Sequence, residues 1–517
     1  MSEAVRDSLR NTAKGTAFVF AGSVVSILLW FASKVLIVRY TTKEEFGIYS
    51  MAIAVASILA AIANAGLQDG VTRYISIFLG RDNRDEASAV SKASLQISFV
   101  TGIAVTAGLY LFAAPIAERA FYMPALVTPL RVISFSCLFQ VLLNVQTGIL
   151  RGYGFVSQRV YYTNIGQPLY FLVLLGLAFV VKGTMIYIVY AFLFSTVLAH
   201  LSLSAYGYKK IGLSPLSLAG GRHGRELLRF SVPLIGVTLM NMIFAWTDTF
   251  MIGRYLGAEE VGVYNVSMSL ARLLGFTLVA LNFVFMPIVG EMYSRNLMDD
   301  IRRTYQILTK WVFAATLPLF FILFFFPELT ITFLFDQRYA VSAGPLQILS
   351  LGFLANVSTG ANAMILIVFG MTRQIFAVSL LTTLLNVVLN YIFIKVMGYG
   401  IIGAATATLM SMCVNILAIA MLLYLKGGIH PLTAKYVRPV AASAAIGLTI
   451  YAAAKALPLT FWMLPIYFLL FVIGYLFSLL ITRSIDMEDL DLLEAMSART
   501  GLKLTGVKSL ASRFFRK

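Results

Sequence analysis

Cysteine is nearly missing from this chain. Cys137 and Cys413 are the only two, and both fall inside long apolar stretches, far from loops. No disulfide framework or Cys-based metal site can be built from such a pair. Charge is scarce as well, at 12% of residues, which is too little to cover the surface of soluble domains of this length. Acidic side chains are the scarcer sign, 23 against 40 basic ones, giving a formal net charge of +17. Long polar segments are also lacking. The longest connection on the side expected to face outward is under about twenty residues, the scale of a compact link. A membrane polymerase or ligase would need a large outer loop carrying catalytic residues, and no room for one exists.

What the sequence has instead is hydrophobicity: 59% of residues are apolar and the mean hydropathy is +0.85. A helix needs about 20 mostly apolar residues to cross the bilayer core. Fourteen such stretches are expected, at 16–38, 47–69, 88–112, 125–149, 160–181, 185–207, 231–253, 262–288, 304–326, 345–369, 374–396, 401–425, 437–457 and 462–482. The first follows Arg6, Arg10 and Lys14 as a signal peptide would, but it is too long for a signal core and is expected to stay as the first helix. Lys and Arg concentrate in alternate connections, so the basic excess is a topology signal and not a nucleic-acid surface; it places both termini in the cytoplasm.

The chain is also a duplication. RYTTKEEFGIY, from Arg39 to Tyr49, returns as RYLGAEEVGVY from Arg254 to Tyr264, with six of eleven positions identical. Pro129-Leu130 recurs as Pro345-Leu346, Gly154 and Gln158 as Gly370 and Gln374, and Tyr208, Lys210, Gly212 and Pro215 as Tyr424, Lys426, Gly428 and Pro431. The expected architecture is an all-α integral membrane protein of 14 transmembrane helices. It has two pseudo-symmetric six-helix lobes around a central cavity plus two C-terminal helices. Residues 1–14 form a cytoplasmic N-terminus, 15–208 one lobe, 209–230 a basic linker, 231–426 the second lobe, 437–482 the last two spans and 483–517 a cytoplasmic tail. Each half holds an even number of spans, so the halves share one orientation, a transporter plan.

Within the first copied corner, Thr42-x-x-Glu45 reads as a helix-starting capping box and Gly47 as a point of close helix approach. Gln146, Thr147, Gly148, Arg151 and Gly152 stand against Thr359, Gly360 and Asn362 as polar, small-residue faces that either pack helices or line a wet cavity. In the tail, an acidic run (Asp486, Glu488, Asp489, Asp491, Glu494) gives way to Lys503, Lys508, Arg513, Arg516 and Lys517. Leu504, Val507, Leu510 and Phe514 lie at near-helical spacing among those cations, as in a helix lying on an anionic membrane surface. Asp489-Leu490-Asp491 has no nucleotide-binding fold around it and is not a glycosyltransferase metal motif.

Asn386-x-x-x-Asn390 followed by Gly398-Tyr399-Gly400-Ile401-Ile402-Gly403-Ala404-Ala405-x-Ala407-Thr408 closely resembles helices eleven and twelve of polysaccharide-type flippases. These belong to the multidrug/oligosaccharidyl-lipid/polysaccharide exporter superfamily. The first corner is similar to the same family's junction between helices one and two, and the resemblance covers about residues 12–482. It implies translocation of a lipid-linked (polyprenyl-phosphate-type) oligosaccharide across the cytoplasmic membrane by alternating access, in a non-enzymatic monomer that works beside other glycan-assembly proteins and needs no cofactor. A multidrug or cation antiporter of the same superfamily is the alternative. It would want twelve spans and an acidic cavity, and the first span offers Lys34 and no carboxylate.

Ionisable groups inside spans cost about 2.5–3.5 kcal/mol each at a helix centre, so each needs a reason. Arg272 lies roughly 16 Å into the eighth span at 1.5 Å per residue. It is either paired between packed helices or, the better fit with few carboxylates available, a fork for a diphosphate. Lys34 and Asp248 sit five residues before Arg39 and six before Arg254, and are expected either to pair across the lobes as an outer gate or to act singly, Lys34 reaching to the outer interface and Asp248 lining a hydrated wall. Asn386, Asn390, Arg131 and Lys92 are candidate cavity-lining residues. Asp248 is also the one carboxylate placed well inside a span, hence the candidate site for a coupling ion, H+ or Na+.

Overall fold

The computed structural model describes residues 3–64, 66–181, 183–212, 224–231, 235–431, 434–455 and 463–481, and among these every regular element is a helix. The expected tail helix, from Ser484 to Lys517, lies outside the described residues. The first half opens with α1 (Glu3–Tyr40), α2 (Lys43–Asn64), α3 (Leu67–Leu79), α4 (Arg84–Ala114) and α5 (Val127–Gly152). It closes with α6 (Val156–Arg159), α7 (Gln167–Val180) and α8 (Met185–Ile211), and a short α9 (Gly224–Ser231) leads on. The second half begins with α10 (Ile235–Tyr255), α11 (Ala258–Arg272), α12 (Phe276–Ser294), α13 (Met298–Phe325) and α14 (Pro327–Leu334). It ends with α15 (Ala343–Ser358), α16 (Asn362–Val368), α17 (Thr372–Asn390) and α18 (Gly400–Gly427), before α19 (Ala434–Lys455) and α20 (Leu464–Ile481).

Among the described residues eleven helical stretches are long and apolar enough to cross a membrane. The segments expected at 231–253, 437–457 and 462–482 are helical, as α10, α19 and α20, but fall outside those eleven. Two expected spans are broken. The second ends at Asn64, and Gly66, at φ 67°, turns the chain into α3; the tenth breaks at Gly360, φ 58°, between α15 and α16. Glycine is favoured at both because a Cβ disfavours this left-handed region. The eighth is continuous but uneven: α11 stops at Arg272, a 3-10 turn covers Leu273–Gly275, and α12 follows.

The capping box forms as expected. Thr42 N–H donates to Glu45 Oε2 at 2.9 Å, and Glu45 N–H donates to Thr42 Oγ1 at 3.1 Å. The second copy has Gly257 at φ 111° before α11 and no side-chain cap, so the motif's shape was kept while its cap was lost. The small-residue faces turn out to pack helices. Thr72 Oγ1 donates to the Gly148 carbonyl at 2.9 Å, Arg151 pairs with Asp69 at 2.6 Å, and Gly152 lies against Ile75. In the second half Tyr305 OH donates to the Thr359 carbonyl at 2.5 Å, and Gly360 abuts Thr309. Helices α19 and α20 dock on α13, where the rings of Phe321 and Phe471 stack at 4.0 Å.

Candidate functional site

The two copied corners meet each other. Helix α2 crosses α11 where both are glycine: a Cβ on Gly47 would stand 1.7 Å from the Ala258 carbonyl oxygen, and one on Gly262 2.1 Å from that of Lys43. Only glycine at both positions lets the main chains touch. Beside the crossing, Lys43 pairs with Glu259 at 3.1 Å. The arginine of each corner reaches the opposite half. Arg39 donates to the carbonyls of Leu334 (2.9 Å) and Phe333 (2.7 Å), while Arg254 lies 4.0 Å from the centre of the Tyr122 ring and donates to its hydroxyl. Arg338 in turn donates to the Thr41 and Arg39 carbonyls and to Asp336. The molecule is thus fastened at the end carrying the corners.

Lys34 and Asp248 form no ion pair. Lys34 Nζ donates to Ser269 Oγ at 2.9 Å, and Asp248 is held by neutral donors only. The cause is helical phase: the two stand five and six residues before their corner arginines, and one residue rotates a side chain by about 100°. Asp248 therefore turns into its own half, nearly fully buried at 3% exposure. There Tyr264 OH, Asn390 Nδ2 (2.9 Å) and Thr408 Oγ1 (2.6 Å) donate to it, and Asn386 Nδ2 donates to Thr408 Oγ1 at 3.2 Å. The side-chain oxygens of Asn386 and Asn390 are buried with no hydrogen-bond partner. Both asparagines, expected on a cavity wall, belong instead to this buried node.

Arg272 ends α11 at the 3-10 turn, an irregularity of the kind that marks functional positions in long helices. Although deep along its span, its side chain is exposed, so it faces open space. It donates to the Ala245 carbonyl at 2.9 Å and lies 5.7 Å from the Trp246 ring, and among the described residues it has no carboxylate in salt-bridge contact. Ser269, the partner of Lys34, is one turn back on the same face. Two cations from different halves therefore lie together with no carboxylate in salt-bridge contact, Asp248 attracting Arg272 only at longer range. Arg131 instead lies 5.6 Å from the Tyr110 ring, and neither it nor Lys92 lines the cavity described next.

A cavity of about 420 Å³ opens between the first-half helices and α10. Trp30, Asn64, Gln68, Gln140, Asn144 and Gln167 are among its walls. The sequence pattern did not single out these residues or Trp246, and marked Tyr264 only as the end of the repeated corner. A signal was available in Ser136, Gln140 and Asn144, polar residues at i, i+4 and i+8 of an apolar span.

The chain matches the family model described as "Polysaccharide biosynthesis protein" over residues 36–344. It is 27% identical over 338 residues to the succinoglycan biosynthesis transport protein ExoT of Rhizobium meliloti, covering 64% of each chain. A Haloferax volcanii protein named a probable low-salt glycan biosynthesis flippase is 24% identical over 214 residues, 41% of this chain and 44% of that one. The chain thus spans less than two thirds of the length of either relative. Among solved structures, the lipid II flippase MurJ in an inward closed conformation superposes with a TM-score of 0.72 at 16% identity, over 90% of this chain and 98% of that one. That likeness establishes a shared fold.

Proposed function

Because this chain belongs to the polysaccharide biosynthesis protein family, we propose that it is a flippase. It moves a lipid-linked, polyprenyl-phosphate-type oligosaccharide across the cytoplasmic membrane for cell-surface glycan assembly, by alternating access between two six-helix lobes. The relatives named as a transport protein and a flippase support the class of activity. The observation that carries the substrate is the pairing of Lys34 with Arg272: two cations inside the spans, on helices of different halves, with no carboxylate in salt-bridge contact among the described residues. A guanidinium whose fork is not taken up by a carboxylate suits a diphosphate, which it can meet bidentately while the ammonium adds a second charge.

In this reading α10, α19 and α20 join the eleven long apolar stretches to make fourteen spans, both termini are cytoplasmic, and the corner end faces outward. The fastened corners then close the outer side, a role the Lys34–Asp248 pair was expected to fill. Asp248 becomes the coupling group. A buried carboxylate surrounded by neutral donors is costly unless it takes up a proton or a small cation, and the two spare asparagine oxygens beside it suit a cation's coordination shell.

Reconstitution in vesicles with fluorescent lipid-linked sugars tests the reading. Wild-type protein should carry the label across, and Arg272→Ala, inserted normally, should lose at least about tenfold in rate, the effect of roughly 1.4 kcal/mol. Wild-type-like movement by Arg272→Ala would sink the diphosphate assignment.

A further inference from the structure

The cavity of about 420 Å³ has walls unlike the cation pair beside it. Its volume lies within the ~300–1,000 Å³ typical of small-molecule sites. Its single ionised wall residue is Asp69, already tied to Arg151 at 2.6 Å, and no cation lines it. The rest is neutral and rich in amides. The side chains of Asn64, Gln68, Gln140 and Asn144 make no hydrogen bond to any described residue, and Asn64 Oδ1 is buried and unpartnered. Gln167, buried behind the π-helical turn Val160–Gly166, donates to Thr196 through Nε2 and keeps its oxygen free. Asn64 Oδ1, buried without a partner, costs free energy until a ligand satisfies it, and the half-buried amides beside it are left available to exchange water for a ligand.

An aromatic wall completes the surface. Trp30 lines the cavity and is braced by Phe171 at 5.4 Å and Phe192 at 6.3 Å between ring centres. Amide donors and acceptors facing a fixed indole match a sugar ring, whose hydroxyls need two-way hydrogen bonds and whose C–H face stacks on aromatic carbon. A lipid tail would leave the amides unsatisfied, and a phosphate would find no cation.

The cavity also stands next to the cations. Trp30 and Lys34 are one turn apart on α1, and Met242 of the cavity wall is one turn from Ala245, the partner of Arg272, on α10. One turn is about 5.4 Å, so a sugar in the cavity would adjoin a phosphate held by Lys34 and Arg272.

Resting on the flippase reading, we propose that this cavity is a glycan subsite. It takes the neutral, hydroxyl-rich sugars next to the diphosphate and is the part of the protein that distinguishes one lipid-linked oligosaccharide from another. A site built to hydrogen-bond hydroxyls rejects ligands that lack them far more strongly than an apolar pocket could.

The test uses the full chain in nanodiscs and two kinds of probe: farnesyl diphosphate, and a panel of farnesyl diphosphates bearing neutral disaccharides. Wild-type protein should bind at least one glycosylated probe about tenfold more tightly than the bare one, as a few net hydrogen bonds allow. The double variant Gln140→Leu/Asn144→Leu should lose that preference and keep its affinity for bare farnesyl diphosphate. Arg272→Ala should weaken both probes. If the double variant does not fold, Gln140→Ala and Asn144→Ala, made singly, should each reduce the preference severalfold. A preference that survives these changes overturns the proposal, as does equal weakening of both probes, or a wild type with no preference across the panel. Wild-type protein that binds neither kind of probe overturns the flippase reading itself, and the subsite with it.

Discussion

At the scale of single residues, the proposed function divides the work between Arg272, for the head group, and Asp248, for the ion. Arg272→Lys keeps the charge but loses the planar fork, so transport should recover only in part relative to Arg272→Ala; full recovery in a vesicle assay would mean that charge alone suffices. Asp248→Asn retains one acceptor oxygen, enough for Tyr264 and Thr408, and its new NH2 can donate to Asn390 once that amide flips to present its unpartnered oxygen, so the variant should fold and insert. It should stop responding to an imposed pH or sodium gradient. An Asn variant with its full gradient response would leave Asp248 as packing, with the membrane potential acting directly on a charged substrate at about 2.3 kcal/mol per charge per 100 mV. Asp336, outside the spans, accepts the backbone N–H of Arg338 at 2.9 Å and its Nε at 3.0 Å, which hold its carboxyl below the usual carboxylate range. A depressed pKa contributes stability above the unfolded value of about 3.9, and that contribution is lost as pH falls through the lowered one. Closure at the corners should therefore be unchanged from pH 7 to about pH 5, read as cross-linking yield; loosening between pH 7 and 6 would place its control in another group.

At the scale of helices, the α2–α11 crossing is the most sensitive contact. Gly47→Val would drive a side chain into the Ala258 carbonyl, so the helices must separate. Cysteines in place of Lys43 and Glu259, whose charged ends are 3.1 Å apart, should join through a short reagent. Adding Gly47→Val should cut that yield severalfold, whereas cysteines at 34 and 248 should stay unjoined in this state. Undiminished yield with Gly47→Val would show that the crossing is not needed for closure. These elements also divide what sequence makes legible from what it does not. The capping box at Thr42 and Glu45 was readable because it is local, four residues in fixed order, and the repeat foretold that the corners would correspond. The partner of Asp248 was not readable. Pseudo-symmetry fixes depth along a helix but not direction around it, and the one-residue difference between Lys34 and Asp248 changes the direction completely. The breaks at Gly66 and Gly360 were hidden by hydropathy, which sums over a window and does not register a left-handed glycine. The amides of the cavity come from several helices of the first half, and only folding collects them.

At the scale of the whole molecule, the two halves are bound at one end and part around a polar cavity at the other. The proposed orientation rests on where Lys and Arg gather, and it can be measured. A cysteine in place of exposed Arg81 should react with an impermeant maleimide only from the cytoplasmic face, and one in place of exposed Met397 only from outside. Labelling of both from one face would invert or break the topology. The glycine crossing has a further consequence for a cell that keeps a voltage across this membrane. Where two main chains touch, no file of water can thread between them, and without such a file protons and metal ions have no conductive path. In the proposed function Gly47 and Gly262 would thus add electrical insulation to closure, and Gly47→Val is expected to raise the proton leak of vesicles holding the protein even in the absence of anything to transport.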